Sequence, residues 1–130
     1  MRPFAIALAL AVGAVIATSL ATDAWHHAQP RISAGALGAL HSVSLTNNQV
    51  YYGRLAHISH DSITLSRVFY VQVAADDKSG ERTNKLVERA TSDWHGPVSM
   101  TIPVDKIMFI EEVGSSSQVA KLIGEAEAHH

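Results

Sequence analysis

Val50-Tyr-Tyr-Gly-Arg-Leu-Ala-His-Ile-Ser59, then His60-Asp61, then Ser62-Ile-Thr-Leu-Ser-Arg-Val-Phe-Tyr-Val-Gln-Val73: the reading of this stretch decides the fold. Both runs are rich in β-branched and aromatic residues, which fit a pleated, half-buried surface. Gly53 lies inside the first run. An interior glycine in a strand marks a bulge or a sharp bend, so one long strand can serve two sides of a small barrel. His60-Asp61 supplies the turn between the runs. The second run carries Ile63 and Leu65, then Val68, Phe69, Tyr70, Val71 and Val73. Apolar residues on both faces imply either burial on both sides or one face turned to a partner.

Upstream, Val43 and Leu45 alternate with Ser42, Ser44 and Thr46, the period-two signature of a strand. Asn47-Asn48 follows, and asparagine tolerates the left-handed backbone of a tight hairpin. Downstream, the pattern breaks from Ala74 to Asp93. Asp76 to Arg82 reads as a charged turn, mobile and solvated, and Lys85 to Ala90 as a short strand around Leu86 and Val87. Trp94-His-Gly-Pro97 is a compact turn. Val98 to Ile102 is a strand, ended by Pro103, which cannot donate to a central ladder. Pro103 to Lys106 predicts one tight helical turn, and Ile107 to Val113 the last strand. Gly114 and Ser115 to Ser117 supply a break and an N-cap. Gln118 to His129 places Val119, Leu122, Ile123 and Ala126 at helical spacing.

These elements define a mainly β chain. A bent five-stranded small barrel occupies residues 41–113, and a C-terminal amphipathic helix and tail occupy 114–130. Residues 23–40, with Pro30, Gly35 and Gly38, read as a linker with a short helical turn near Ser33 to Leu40. Residues 1–22 form a transmembrane anchor or a signal segment. Phe4 to Ala21 is an uncharged run of 18 residues, at the short end of the roughly 17–25 that span a bilayer. Ser19-Leu20-Ala21 would serve as a cleavage site. Asp23 and Trp25 look like an interfacial border, which favours retention. Arg2 before the run places the amino end in the cytoplasm and the remainder outside. The expected location is the cytoplasmic membrane, single-pass, with the C-terminal domain extracytoplasmic, or secreted if the segment is cleaved.

Composition narrows the chemistry. The chain has no cysteine, which excludes disulfides and thiolate metal sites. Net charge is −2, a poor match to polyanionic DNA or RNA. No nucleic acid partner and no cofactor are expected.

Two resemblances follow from these residues. Val43-x-Leu45 with Val50 to Val71, including Gly53 and Asp61, resembles the first motif of Sm-like small barrels. Met100 to Val113 resembles the second, two short strands joined by a one-turn helix. The Arg-Gly or Lys-His type dipeptide expected between the last two strands is replaced by Pro103-Val104, so RNA binding is not implied. The chain is also similar to a group of short, uncharacterised bacterial proteins with an N-terminal apolar segment. The shared features are Leu45-Thr-Asn-x-Gln-Val-Tyr-Tyr-Gly-x-Leu55, His95-Gly-Pro97 and Ile102-x-Val-Asp-Lys-Ile-x-Phe-x-Glu111. This similarity implies an anchored envelope protein and brings no activity.

Candidate chemistry is sparse. Eight histidines invite a metal reading, with His57, His60 and His95 as the ligands of an alternative metal- or small-ligand-binding domain. His57 and His60 converge only if their strand curls at Ser59, and no metal-type His spacing is present. His95 sits in a constrained turn, where it either acts on a partner or holds the turn while Trp94 covers the barrel end. No serine lies in a Gly-x-Ser-x-Gly elbow, and no acid–base constellation is evident, so no enzyme activity is expected. Tyr51-Tyr52 and Phe69-Tyr70 are adjacent aromatics on strands, so one of each pair points inward and one outward. Tyr51, Tyr52, Phe69, Tyr70, Trp94 and His95 are therefore the candidate interaction residues. They fit a non-catalytic envelope scaffold that docks on a protein partner or a second copy, as in an accessory subunit of a membrane complex.

Overall fold

The alternation in the sequence becomes six strands in the computed structural model, which describes residues 34–129. They are β1 (Leu40–Leu45), β2 (Val50–Ile58), β3 (Ser62–Ala75), β4 (Arg82–Glu88), β5 (Ser99–Pro103) and β6 (Ile107–Glu112). One helical turn, α1 (Arg89–Ser92), follows β4. A 3-10 turn, η1 (Val104–Lys106), joins β5 to β6, and α2 (Gln118–Ala128) closes the described chain. The sheet is antiparallel and open, in the order β4-β3-β2-β1-β6. β5 lies off this path and pairs with β3.

β3 changes partner halfway along. Ser62 to Ser66 pair with β5, and Phe69 to Ala75 pair with β4. Between them the register against β2 slips: Tyr52 faces Phe69 and Arg54 faces Ser66, so Arg67 and Val68 oppose Gly53 alone. This is a β-bulge. Arg67 takes a positive φ of 48°. A Cβ on Gly53 would lie 3.0 Å from Leu65 Cβ and 3.1 Å from the Ser66 carbonyl oxygen. The irregularity expected at Gly53 is therefore in the facing strand: β3 carries the bulge and serves two partners, and the glycine gives it room for close approach.

The bulge lets the sheet curl around one core. Val43 and Leu45 of β1, Leu55 of β2, Ile63, Leu65 and Val68 of β3 and Ile102 of β5 pack together. A second cluster lies beneath α2, where Leu40, Phe69 and Ile123 meet. Ser117, the last of the three serines, caps α2 by accepting a hydrogen bond from Ala120 N at 3.1 Å. Arg54 fastens the far end of the helix through Nε and Nη2, each donating to Glu127 at 2.8 Å.

Three expectations need correction. The sheet has six strands, not five, because β3 runs on to Ala75 and pairs with β4 as a hairpin. Its exposed tip is closed by hydrogen bonds, from Gly80 N to the Asp76 carbonyl and from Asp76 N to the Glu81 carbonyl, both 2.9 Å. The short strand expected over Lys85 to Ala90 ends at Glu88, where the chain turns into α1. The sheet curls, but among the described residues no ladder joins β5 to β6. The expected anchor over 1–22 and the linker up to residue 33 lie outside the described residues. Among the described residues no helix is long and apolar enough to cross a membrane.

Two outcomes are expected. Gly53→Val forces branched carbon into the β3 backbone and lowers stability by about 1–3 kcal/mol in urea unfolding. Acidification weakens the helix clasp: the hydrogen bond from Arg54 holds the Glu127 carboxyl below its ordinary value of 4.5, against the opposing effect of burial. The lowered folded value means that this contribution is full above 4.5 and lost as pH falls through the lowered folded value. Because the Arg54 side chain is 43% exposed, screening limits it to about 0.5 kcal/mol. An Arg54→Met variant should show a correspondingly flatter fall in stability below pH 4.5.

Candidate functional site: an aromatic groove and a tryptophan turn

The β1–β2 hairpin and the β3–β4 ribbon rise beside one another and leave a groove of about 710 Å³, open to solvent. Its shape starts with Asn47-Asn48. Asn48 takes the left-handed conformation, φ 68°, and the Asn47 side chain accepts from Gln49 N at 3.1 Å. Gln49 in turn accepts from the Tyr51 hydroxyl at 2.7 Å, so the hairpin holds the phenol it precedes. Tyr70 meets Tyr51 edge to face, with ring centroids 6.4 Å apart and planes at 77°, the arrangement that ring quadrupoles favour.

Arg89 completes the wall from α1. Its guanidinium lies over the Tyr51 ring, 5.6 Å from the centroid. Its Nε donates to Asp93 Oδ2 at 2.8 Å, and Nη1 reaches Met100 Sδ at 3.3 Å. The ion pair neutralises the cation, so the groove offers aromatic surface, the side chains of Asn48, Gln49 and Asn84, and the apolar Val50, Val71 and Val73. Such a mixture suits the holding of a side chain or a short segment.

Beside the groove, the chain from Asp93 to Val98 forms a tight turn. Asp93 N donates to the Arg89 carbonyl at 2.9 Å, and Gly96 N to the Asp93 carbonyl at 3.0 Å. Gly96 has φ 49°. Trp94 is fully exposed at 105% and Val98 is 82% exposed. Trp94 therefore does not cover the end of the sheet, and backbone groups close the turn around His95.

The candidate residues thus separate. Tyr51 and Tyr70 meet in the groove, and Tyr52 lines it while packing on the cluster beneath α2. Phe69 is 1% exposed and belongs to the core. Within the second pair the inward and outward roles divide as expected. Trp94 and His95 sit on the adjoining turn. His57 is exposed on β2, His60 is half-buried in the β2–β3 turn, and His95 is exposed. Among the described residues no group of three or more His, Asp or Glu is placed to hold a metal ion.

His41 and Arg89 were not among the candidates. His41 is 0% exposed on the inward face of β1, in register with Val43 and Leu45. Its Nδ1 donates to the Ala39 carbonyl at 2.9 Å, while Nε2 is buried without a partner among the described residues. A Cβ on Gly35 would stand 2.7 Å from that Nε2 and 2.9 Å from Glu112 Oε2, so the absent side chain makes room for both. The period-two pattern, extended one step upstream from Val43, points to His41. Arg89 carries no comparable signal, since its partners are up to 38 positions away in sequence.

No protein-family model matches the chain, and no curated protein matches it.

The groove and the turn should separate in mutagenesis. Arg89→Ala removes a stacking contact and a part-buried ion pair and is expected to cost about 1–2 kcal/mol. Trp94→Ala touches a fully exposed side chain and should change stability by less than about 0.5 kcal/mol. Chemical denaturation of the two variants checks both.

Proposed function

We propose that this protein is a non-catalytic, membrane-anchored envelope module that works by docking its aromatic groove on a protein partner or on a second copy of itself. The observation that carries the reading is the Tyr51–Tyr70–Arg89 arrangement. Two phenol rings meet edge to face at an open surface, and a cation that is itself neutralised covers one of them, Tyr51. Tyrosine and arginine are the residue types that contribute most at protein interfaces. The uncharged run Phe4 to Ala21 supports tethering, with the domain on the outer side. The bulge opposite Gly53, the partner change in β3 and the 3-10 turn before β6 support an Sm-like barrel lineage. The charge of −2 argues against a nucleic acid partner. In this reading the protein is an accessory subunit of a membrane complex, with no cofactor.

The test places a photoreactive phenylalanine analogue at position 70 of the full chain in its native membranes. Irradiation should yield one discrete adduct, at twice the chain mass for a second copy or at another fixed mass for a different subunit. Tyr51→Ala should reduce the adduct by about fivefold or more. A folded chain that gives no adduct from position 70, while the same analogue on the opposite sheet face does, would overturn the groove as the docking site.

A further inference from the structure

We infer that the turn from Trp94 to Val98 is a lipid-contacting knuckle that seats Trp94 in the headgroup layer of the bilayer to which the chain is tethered. This rests on the tethering proposed above and concerns a different surface from the groove. Trp94 is 105% exposed and Val98 82% exposed, so two apolar side chains stand in water on a short turn. Removing either from water would be favourable, and the fold leaves that unused.

The mount is rigid. The Asp93 and Gly96 backbone bonds close the turn, and the Arg89–Asp93 pair at 2.8 Å fixes its base to α1. At its far end Arg67 N reaches the Val98 carbonyl at 3.5 Å. A backbone held this way loses little further conformational freedom when the side chains it carries insert.

Lipid fits this surface better than protein does. Two projecting side chains fall far short of the roughly 800 Å² per partner that a standard protein interface buries, whereas a headgroup layer asks for no matching shape. From Trp94 to Pro103 there is no Asp, Glu, Lys or Arg, and the preceding Asp93 is neutralised by Arg89. An uncharged segment with an exposed indole is the composition of the bilayer interface, where an apolar ring with one N–H donor is favoured. The tether sets the distance: only 12 residues separate Ala21 from Ala34. Fully extended they reach about 40 Å, so the tether keeps Ala34, where the described domain begins, within that distance of the bilayer surface.

The experiment uses the full chain with Trp25→Phe, which leaves Trp94 as the sole tryptophan. The chain is reconstituted in vesicles of phosphatidylethanolamine and phosphatidylglycerol, with and without brominated acyl chains. Trp94 emission should move to shorter wavelength and lose about half its intensity with brominated lipid. Val98→Ser should weaken the quenching. Extraction at alkaline pH reports the tether separately. A chain stripped by alkali whose Trp94 is still quenched at neutral pH removes the tether and keeps the knuckle. Trp94 emission that stays unquenched overturns the inference, with or without the tether. So does a blue shift seen only in native membranes and absent from the lipid vesicles, which assigns the turn to a protein partner.

Discussion

The bulge at Arg67–Val68 is the constraint on which the rest of the structure depends. A positive φ on a residue other than glycine costs about 1–3 kcal/mol, and Arg67 holds φ 48°. Its own side chain offsets the strain. Nε donates to Glu88 at 3.1 Å, Nη2 reaches the Ala126 carbonyl at 3.4 Å, and the guanidinium stands 5.9 Å from the Phe69 ring centroid. One residue thereby ties the kink in β3 to the end of β4 and to α2. Opposite it, Gly53 has no side chain to resist the approach.

From that kink the two surfaces of interest follow. Above it, β3 leaves β5 and pairs with β4, and the resulting ribbon becomes one wall of the groove. The chain must then return from the end of β4 to the start of β5, which pairs with the other half of β3. It does so through α1 and the Asp93–Val98 turn. The same detour sets Arg89 over Tyr51 and pushes Trp94 into solvent. The aromatic wall and the exposed indole are consequences of one change of strand partner.

Local signals in the chain were strong wherever the physics is local. Asn48 in the left-handed region, the Ser117 cap and the helical turn before β6 each depend on residues within a few positions, so composition revealed them. The inward and outward sides of Phe69 and Tyr70 followed from the two-residue period of a strand. The charged turn over Asp76 to Arg82 was legible in the same way, although the register of the two strands it joins is read only across β3 and β4. One reading failed for the opposite reason. Trp94 looked like a lid because tryptophan is seldom left bare. Its exposure is set by where the turn lands, which no neighbour in sequence reports.

The amino-acid sequence by itself determined the strand-rich class, the hairpin positions, an irregularity in the ladder at Gly53, the capped C-terminal helix and the uncharged leading run. Each arises from backbone preference or hydrophobic period over short spans. Only the tertiary structure decided that β3 serves two partners, that Arg89 covers Tyr51, that His41 is sealed beneath Gly35 and that Trp94 faces water. Those outcomes depend on contacts between residues far apart in the chain, whose closure is settled by packing of the whole sheet.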